Sequence, residues 1–427
     1  MLDKNGIRQL AYVVKIDNIT PIEGYDRVEL AHVGGWTIVV GKGEFRSGDP
    51  AIYFEIDSKL PEVKPFTDME FLAKKHYKIK TQKMCKSISQ GLLMSAEQFG
   101  WKAHRNARIF RDEECLDNTK EIPGITDTNG IIHYVNDESR FLTAALGVTY
   151  AEPSDNQRKA AAADKYKKMA QRNGKLFSHQ PFRWLMKRDC GKKLLFVFFG
   201  RKRDKKTGFP TNFPYVKKTD QERCENMTWV LNDKTPYIVT EKCDGSSGTY
   251  ILERKPFGRF EFYVCSRNVR QLTPNQKSFY DDNYYWECAI KYDIENKLKD
   301  YLIKHPDLNY VCWQGEVCGP GIQKNPHGLS ETRLFCFHMI DSKIGKYDIR
   351  EAIKIWEEYD MEHVPIRYSH YILPDDFERF KETAEGYYSS IICEGKDKQP
   401  REGFVYYKTT DPNFSFKNVS RSYLLNH

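Results

Sequence analysis

The chain holds no apolar run near the ~20 residues that a membrane span requires. Its first residues, Met1-Leu2-Asp3-Lys4-Asn5-Gly6, contain no apolar signal core. The expectation is therefore a chain with no membrane partner. The eleven cysteines are scattered, with no C-x-x-C pair and no paired spacing. That pattern argues against a disulfide framework and a zinc site, and for reduced, mostly buried thiols in a cytoplasmic or nuclear setting. Internal repeats and low-complexity tracts are also absent, which excludes solenoids and compositional disorder. What is present is globular: 40% hydrophobic, 14% aromatic and 30% charged residues. At 427 residues, two or three domains are expected. The net charge of +8 comes from clustered cations and suits a polyanionic partner.

Residues 1–105 read as an all-β module. Tyr12–Ile16, Val28–Val33, Trp36–Val40 and Ala51–Ile56 are short β-rich runs, and Gly34-Gly35 is a two-residue hairpin turn. Several short strands with turn signals in this length predict a small OB-like barrel. Within it, Lys74-Lys75-His76-Tyr77-Lys78-Ile79-Lys80 and the lysines up to Lys86 interleave cations with an aromatic. Such a run suits a nucleic-acid backbone groove, and it also suits a solvated edge strand protected by lysines. Residues 106–200 form a less regular connecting region, with an expected helix near 155–172. Leu194–Phe199 is a buried-type strand, and Arg201-Lys202-Arg203-Asp204-Lys205-Lys206 a basic turn. Residues 201–427 mix helical and strand periodicities, and Thr219-Asp220-Gln221-Glu222 reads as a capping box that opens a short helix.

The chemistry concentrates after Pro236. Pro236–Thr240 is a strand, and it delivers Glu241-Lys242-Cys243-Asp244-Gly245 at its end. Residues i and i+2 of extended chain share a face, so Lys242 and Asp244 point the same way. A lysine in that setting is a candidate nucleophile once desolvation or a nearby cation lowers its pKa. Alone, the pattern fits a charged hairpin equally well. Further clusters follow on strand-like runs: Arg267 after Tyr263–Ser266, Glu316 within Val311–Val317, Phe337 within Leu334–Asp341, Glu402 before Gly403–Tyr406, and Lys417.

One reaction uses this whole set. A lysine attacks the α-phosphate of a nucleoside triphosphate and expels pyrophosphate. Cations must meet the charge that develops on phosphate, which suits Lys417 and a divalent metal. Carboxylates must hold the metal or its waters, and Asp244, Glu316 and Glu402 are the candidates. Phe337 offers a face for the base, and Arg267 can grip sugar or phosphate.

The order of these motifs resembles the covalent nucleotidyltransferases, and within them the ATP-dependent RNA ligases. The matches are T-E-K-x-D-G, S-R-N, G-E-V-x-G-P-G-I-Q, F-x-F-x-x-I-D, E-G-x-V and F-K-N. Gly35–Glu44, Tyr53–Ser58, Ser89–Leu93 and Pro214–Arg223 are similar to ligases of the Deinococcus type, which carry an OB domain before the catalytic one. The resemblance implies an α+β chain: an OB-like β-barrel, then an ATP-grasp-like nucleotidyltransferase domain of antiparallel sheets with helices. It implies Lys242 as the AMP acceptor, with Glu241 at the adenine edge, Phe337 stacked on the ring, and Arg267 and Lys417 on sugar and phosphate. It implies ATP and Mg2+ or Mn2+, with Asp244, Glu316 and Glu402 at the metal. The expected partner is RNA with 5′-phosphate and 3′-OH ends, in a nicked duplex, sealed by a monomer. Only ten residues follow Lys417, which leads to the expectation that no further OB domain follows it, unlike capping enzymes and DNA ligases. Three positions depart from the family pattern: His338 where many ligases have Asp, Ser415 where many have Lys, and Tyr407 where a basic residue is common. An RNA-binding protein with an inactive transferase domain, and a DNA ligase, remain the alternatives at this level.

Overall fold

The structure is a computed structural model that describes residues 1–108, 121–151, 184–185, 188, 221–267, 270–271, 283–394 and 399–426. The helix expected near 155–172, the strand at 194–199 and the basic turn at 201–206 lie outside these residues.

The first module is β-rich. It contains β1 (Ala11–Lys15), β2 (Asn18–Ile22), β3 (Tyr25–Val33), β4 (Trp36–Gly41), β5 (Pro50–Phe54) and β6 (Ser58–Lys59). A short helix α1 (Glu70–Lys74) precedes β7 (Thr81–Met84), β8 (Ser87–Gln90) and β9 (Leu92–Met94). Three antiparallel sheets result, in the orders β1-β5-β9, β2-β3-β4 and β7-β8. The strand β4 alternates strictly between buried and half-buried positions, as a strand with one core face should. By contrast β5 is buried throughout. Its Ile52 and Phe54 face one core and Ala51 and Tyr53 the other, so its sequence reads as an unbroken apolar run. The expected turn at Gly34-Gly35 is present, with Val33 paired to Trp36. The basic run from Lys74 is spread over α1, a loop and the β7–β8 hairpin. A further sheet of β10 (Lys102–Arg108), β11 (Glu121–Thr126) and β12 (Ile132–Tyr134) follows, and β13 (Thr149–Tyr150) pairs with β6.

The second module is built on two sheets. Its strands are β14 (Glu222–Arg223), β15 (Tyr237–Glu241), β16 (Ser246–Arg254), β17 (Phe260–Ser266), β18 (Arg270–Gln271), β19 (Tyr310–Cys318), β20 (Arg333–Asp341), β21 (Gly345–Lys346), β22 (Ile366–Tyr371), β23 (Gly403–Lys408) and β24 (Ser415–Val419). One sheet runs β14-β24-β23-β15-β22, and the other β18-β17-β16-β19-β20-β21. All pairings are antiparallel except β14 with β24, where Arg223 lies opposite Lys417. Helices α2 (Tyr284–Lys291), α3 (Ile294–Lys304) and α4 (Ile349–Glu358) cover the six-stranded sheet. Their apolar stripes (Leu298 and Leu302, Ile353 and Trp356) bury Trp313, Leu334 and Met339. The five-stranded sheet packs Tyr237, Tyr406 and Phe416 against Phe380 of α5 (Phe377–Glu382). A last helix, α6 (Arg421–Asn426), follows β24. The fold is α+β, as expected. The helix predicted from the Thr219–Glu222 capping box is replaced by β14 and a 3-10 turn at Cys224–Asn226. The Glu222 carboxylate is spent elsewhere, accepting from Arg223 N at 2.9 Å and Asn226 Nδ2 at 2.9 Å.

The two modules share a polar seam. Trp36 Nε1 donates to Asn226 Oδ1 at 2.7 Å, and Gly35 N donates to the Glu225 carbonyl at 2.8 Å. A Cβ on Gly35 would lie 2.2 Å from the Phe377 ring and 2.7 Å from Glu225 Cα, so only glycine permits this approach. Glu55 is fully buried and accepts from Arg8 Nη2 at 2.5 Å and Tyr12 Oη at 3.1 Å, while Arg223 Nη2 reaches Asp57 at 3.2 Å. Burial opposes the Glu55 charge, yet the Met1 ammonium, Arg8 and Arg223 outweigh it and hold its carboxyl well below the usual range.

Candidate active site

Lys242 leaves β15 with its N–H tied to the Gly403 carbonyl at 3.0 Å, which fixes where its side chain emerges. Its Nζ donates to Glu402 Oε2 at 2.9 Å. Glu402 arrives from the start of β23, the neighbour of β15 in the sheet. Glu316 comes from β19 in the other sheet, and Asp244 from the turn into β16. The motif glycine Gly245 is required by proximity: a Cβ there would sit 2.5 Å from the Val317 carbonyl and 2.9 Å from Glu316 Cγ. The turn therefore presses Asp244 against the strand that carries Glu316.

These groups feel one another. Burial opposes the Lys242 charge, but Glu402, Glu316 and Asp244 prevail and hold its ammonium above the ordinary lysine range. Burial, aided by Glu402, pushes Asp244 up to about 7. Glu316 is pushed up to about 8, again by burial first, with Glu402 and Asp244 adding to it and Lys242 and Arg267 opposing. A lysine of lowered pKa was expected from the motif; the carboxylates here produce the opposite. The excess of buried negative charge is what a dication would relieve. Among the described residues no three His, Cys, Asp or Glu side chains make a ready cage for a metal. A hard dication held by one or two carboxylates, phosphate oxygens and water needs no such cage. The donor set fits that mode of binding.

The other expected residues are distributed as follows. Arg267 follows β17, is exposed, and lies close enough to Glu316 to lower its pKa. Phe337 on β20 is half-buried, edge-on to His338 with ring centroids 5.0 Å apart. Lys417 is half-buried on β24, opposite Val405 of β23. Glu241 turns away from the carboxylate group, and the Ser389 N–H donates to its two oxygens at 3.1 and 3.3 Å. His338 is buried, and burial lowers its pKa well below the imidazole range, so it is a neutral ring. Tyr407, where a basic residue was the family norm, has Lys346 Nζ over its ring at 5.3 Å. Burial lowers Lys346 to about 8.

Several residues escaped the sequence reading. His327 is fully buried with Nε2 3.1 Å from both the N–H and the carbonyl of Asp244, and desolvation lowers it to about 4. Tyr388 stacks edge-on against His327 at 4.5 Å, and burial followed by Glu402 and Asp244 raises its phenol. Tyr423 of α6 hydrogen-bonds Asp244. Each is remote in sequence from the group it touches and sits in no periodic pattern; Tyr423, six residues past Lys417, gave no local signal.

A family model described as RNA ligase matches residues 235–419, and one described as an OB-fold domain matches residues 10–96. No curated protein matches the chain in sequence. Among solved structures, an RNA ligase of Naegleria gruberi with pyrophosphate is 24% identical, with a TM-score of 0.66 and coverage of 99% of each chain. A lysine-to-alanine variant of that ligase, with ATP and Mn, is 24% identical with a TM-score of 0.65, covering 98% of this chain and 99% of the other. An arginine-to-alanine variant, also with ATP and Mn, is 25% identical with a TM-score of 0.66 and the same coverage.

Proposed function

Because residues 235–419 match a family model described as RNA ligase, with a match to an OB-fold domain model at residues 10–96, we propose that this chain is an ATP-dependent RNA ligase with Lys242 as its nucleophile. The observation that carries the reading is the Lys242–Glu402 contact at 2.9 Å, enclosed by Asp244 and Glu316. The similar Naegleria structures, solved with ATP and Mn or with pyrophosphate, support ATP and a divalent metal as its partners.

In the first step Lys242 Nζ attacks the α-phosphorus of ATP. The N–P bond forms as the bond to the β-phosphate oxygen breaks, and pyrophosphate leaves. Glu402 Oε2 is placed to take the proton from Nζ. Asp244, Glu316 and Glu402 would hold Mg2+ or Mn2+ directly or through water. A bound dication supplies charge neutralisation at the phosphates and at these carboxylates. Lys417 and Arg267 contact phosphate and sugar, Phe337 stacks on adenine, and Glu241 meets its edge. An RNA 5′-phosphate then takes AMP from Lys242, and attack by a 3′-OH joins the strands and releases AMP. These later steps require two ends held in line, a positioning task for which a nicked duplex is the proposed substrate. The β7–β8 hairpin and the lysines before it are proposed to bear on the duplex backbone. The working unit is proposed to be a monomer.

The test incubates the protein with labelled ATP and Mg2+ or Mn2+. A covalent AMP adduct that is lost in Lys242→Ala is expected. Absence of any adduct with either metal would favour a binding protein with an inactive domain. A nick-sealing assay with ribose or deoxyribose at the break follows. Equal sealing of an all-DNA nick would favour a DNA ligase.

A further inference from the structure

The helix α6 joins two places that the motifs do not connect. Just before its first residue, Ser420 N donates to the Glu402 carbonyl at 2.8 Å. Arg421 forms a bidentate pair with Glu378 of α5 at 2.6 and 2.9 Å, and its N–H donates to Glu385 Oε1 at 2.7 Å. The helix is thus pinned to the catalytic module. Two residues on, Tyr423 hydrogen-bonds the Asp244 carboxylate and also feels Asp57 of the OB module. The next residue, Leu424, packs on the OB core formed by Tyr12, Val14, Trp36 and Tyr53. Adjacent side chains of one short helix therefore touch a site carboxylate and the interior of the other domain.

We propose that α6 is a strut: Leu424, packed on the OB core, sets the position of Tyr423, and Tyr423 orients Asp244 for metal. Tyr423 is a positioning residue, acting through Asp244 and not on substrate. The proposal rests on reading Asp244 as a metal ligand. Its physical basis is general: a ligating carboxylate binds well when an outer hydrogen bond fixes its rotamer, and loss of such a bond lowers metal affinity. The consequence is specific to this chain. The OB module, which meets RNA in the proposed function, is mechanically linked to the first-step chemistry. The link runs along the helix through Leu424 and Tyr423.

The experiment measures Mn2+ binding to the full chain with AMP present, following the free-ion signal by electron paramagnetic resonance. Tyr423→Phe removes the hydroxyl and should weaken Mn2+ roughly ten- to a hundredfold, the usual range for losing an outer-shell partner. Leu424→Ala touches no site group and should weaken it severalfold as well, while Leu424→Met should restore the wild-type value. Thermal melts confirm that each variant is folded. Adenylation should need more metal in both variants and recover its maximal rate at saturation, a split that general destabilisation does not produce. Unchanged Mn2+ affinity in Tyr423→Phe overturns the strut. A loss in Tyr423→Phe with none in Leu424→Ala overturns the coupling to the OB core. Wild-type protein that binds Mn2+ but forms no AMP adduct would refute the ligase reading, while the two variants still decide the strut.

Discussion

Replacing Glu402 with glutamine removes the nearest charge from Lys242 and preserves the shape of its side chain. At 2.9 Å and an effective dielectric of about 20, the attraction lost is on the order of 6 kcal/mol before desolvation is counted. Lys242 and Glu402 retain 23% and 13% side-chain exposure, and Glu316 and Asp244 remain, so the net effect is smaller. A fall of about 1 to 3 units in the lysine pKa is expected, as for other close ion pairs. The free amine appears as pH rises through the folded-state value, so the variant should react at lower pH than the wild type. A pulse of amine-acylating reagent, applied across a pH series without metal or nucleotide and read by mass spectrometry of the Lys242 peptide, measures this. The comparison belongs above about pH 9, where Glu316 and Asp244, at about 8 and 7, are ionised in both proteins. Superimposable reactivity curves would refute the view that carboxylates hold Lys242 as an ammonium in the resting site. Lowering the Lys242 pKa therefore requires cationic charge delivered to those carboxylates.

Further outcomes follow from other parts of the molecule. Because Asp244 and Glu316 sit at about 7 and 8, Mn2+ affinity measured by calorimetry should strengthen from pH 6 to 9, with proton release; a flat profile would contradict these shifts. Lys381 and Glu225 are both fully buried and 2.7 Å apart, so Lys381→Ala should cost about 3–5 kcal/mol in urea unfolding by stranding a charge. The double variant Lys381→Met, Glu225→Gln should recover most of that loss. Glu55 and Glu225 have folded pKa values below their unfolded ones. Their stabilisation is present above the unfolded value near 4.5 and lost as pH falls further, so acid titration should destabilise the wild type more steeply than Glu225→Gln. Gly35→Ala forces a Cβ to within 2.7 Å of Glu225 Cα and should cost about 1–3 kcal/mol by overpacking the seam.

Much of the fold was written in local patterns. The alternation in β4 and the two-glycine turn after β3 are period and turn chemistry, and both appear in the structure where the residues put them. The motif around Lys242 also carried its own geometry, since a strand end places Lys242 and its i+2 carboxylate near each other. The site as a whole was less legible. His327, Ser389 and Tyr423 meet Asp244 and Glu241 across 83, 148 and 179 positions, and no local period reports a contact of that range. The capping-box text at Thr219–Glu222 misled for a related reason. A parallel partner, β24, and an OB-domain carboxylate for Arg223 were available only in three dimensions, and they outweighed the local helix signal. The protonation state of Lys242 depended likewise on Glu402 and Glu316, which two different strands bring in.

The glycine-tipped hairpin at Gly34-Gly35 has a consequence for anyone dissecting the chain. Cutting it into an OB-fold piece and the remaining piece would leave Trp36 without Asn226, and Glu225 and Phe377 open to water. Leu424 would have no core to enter, and Glu55 would lose Arg223. Each fragment would expose apolar side chains that the seam covers, Trp36 on one and Phe377 and Leu424 on the other, and would be prone to self-association. The two modules should be engineered as one piece: a foreign barrel would have to reproduce a hairpin tip with glycine where a Cβ would meet Phe377 and Glu225.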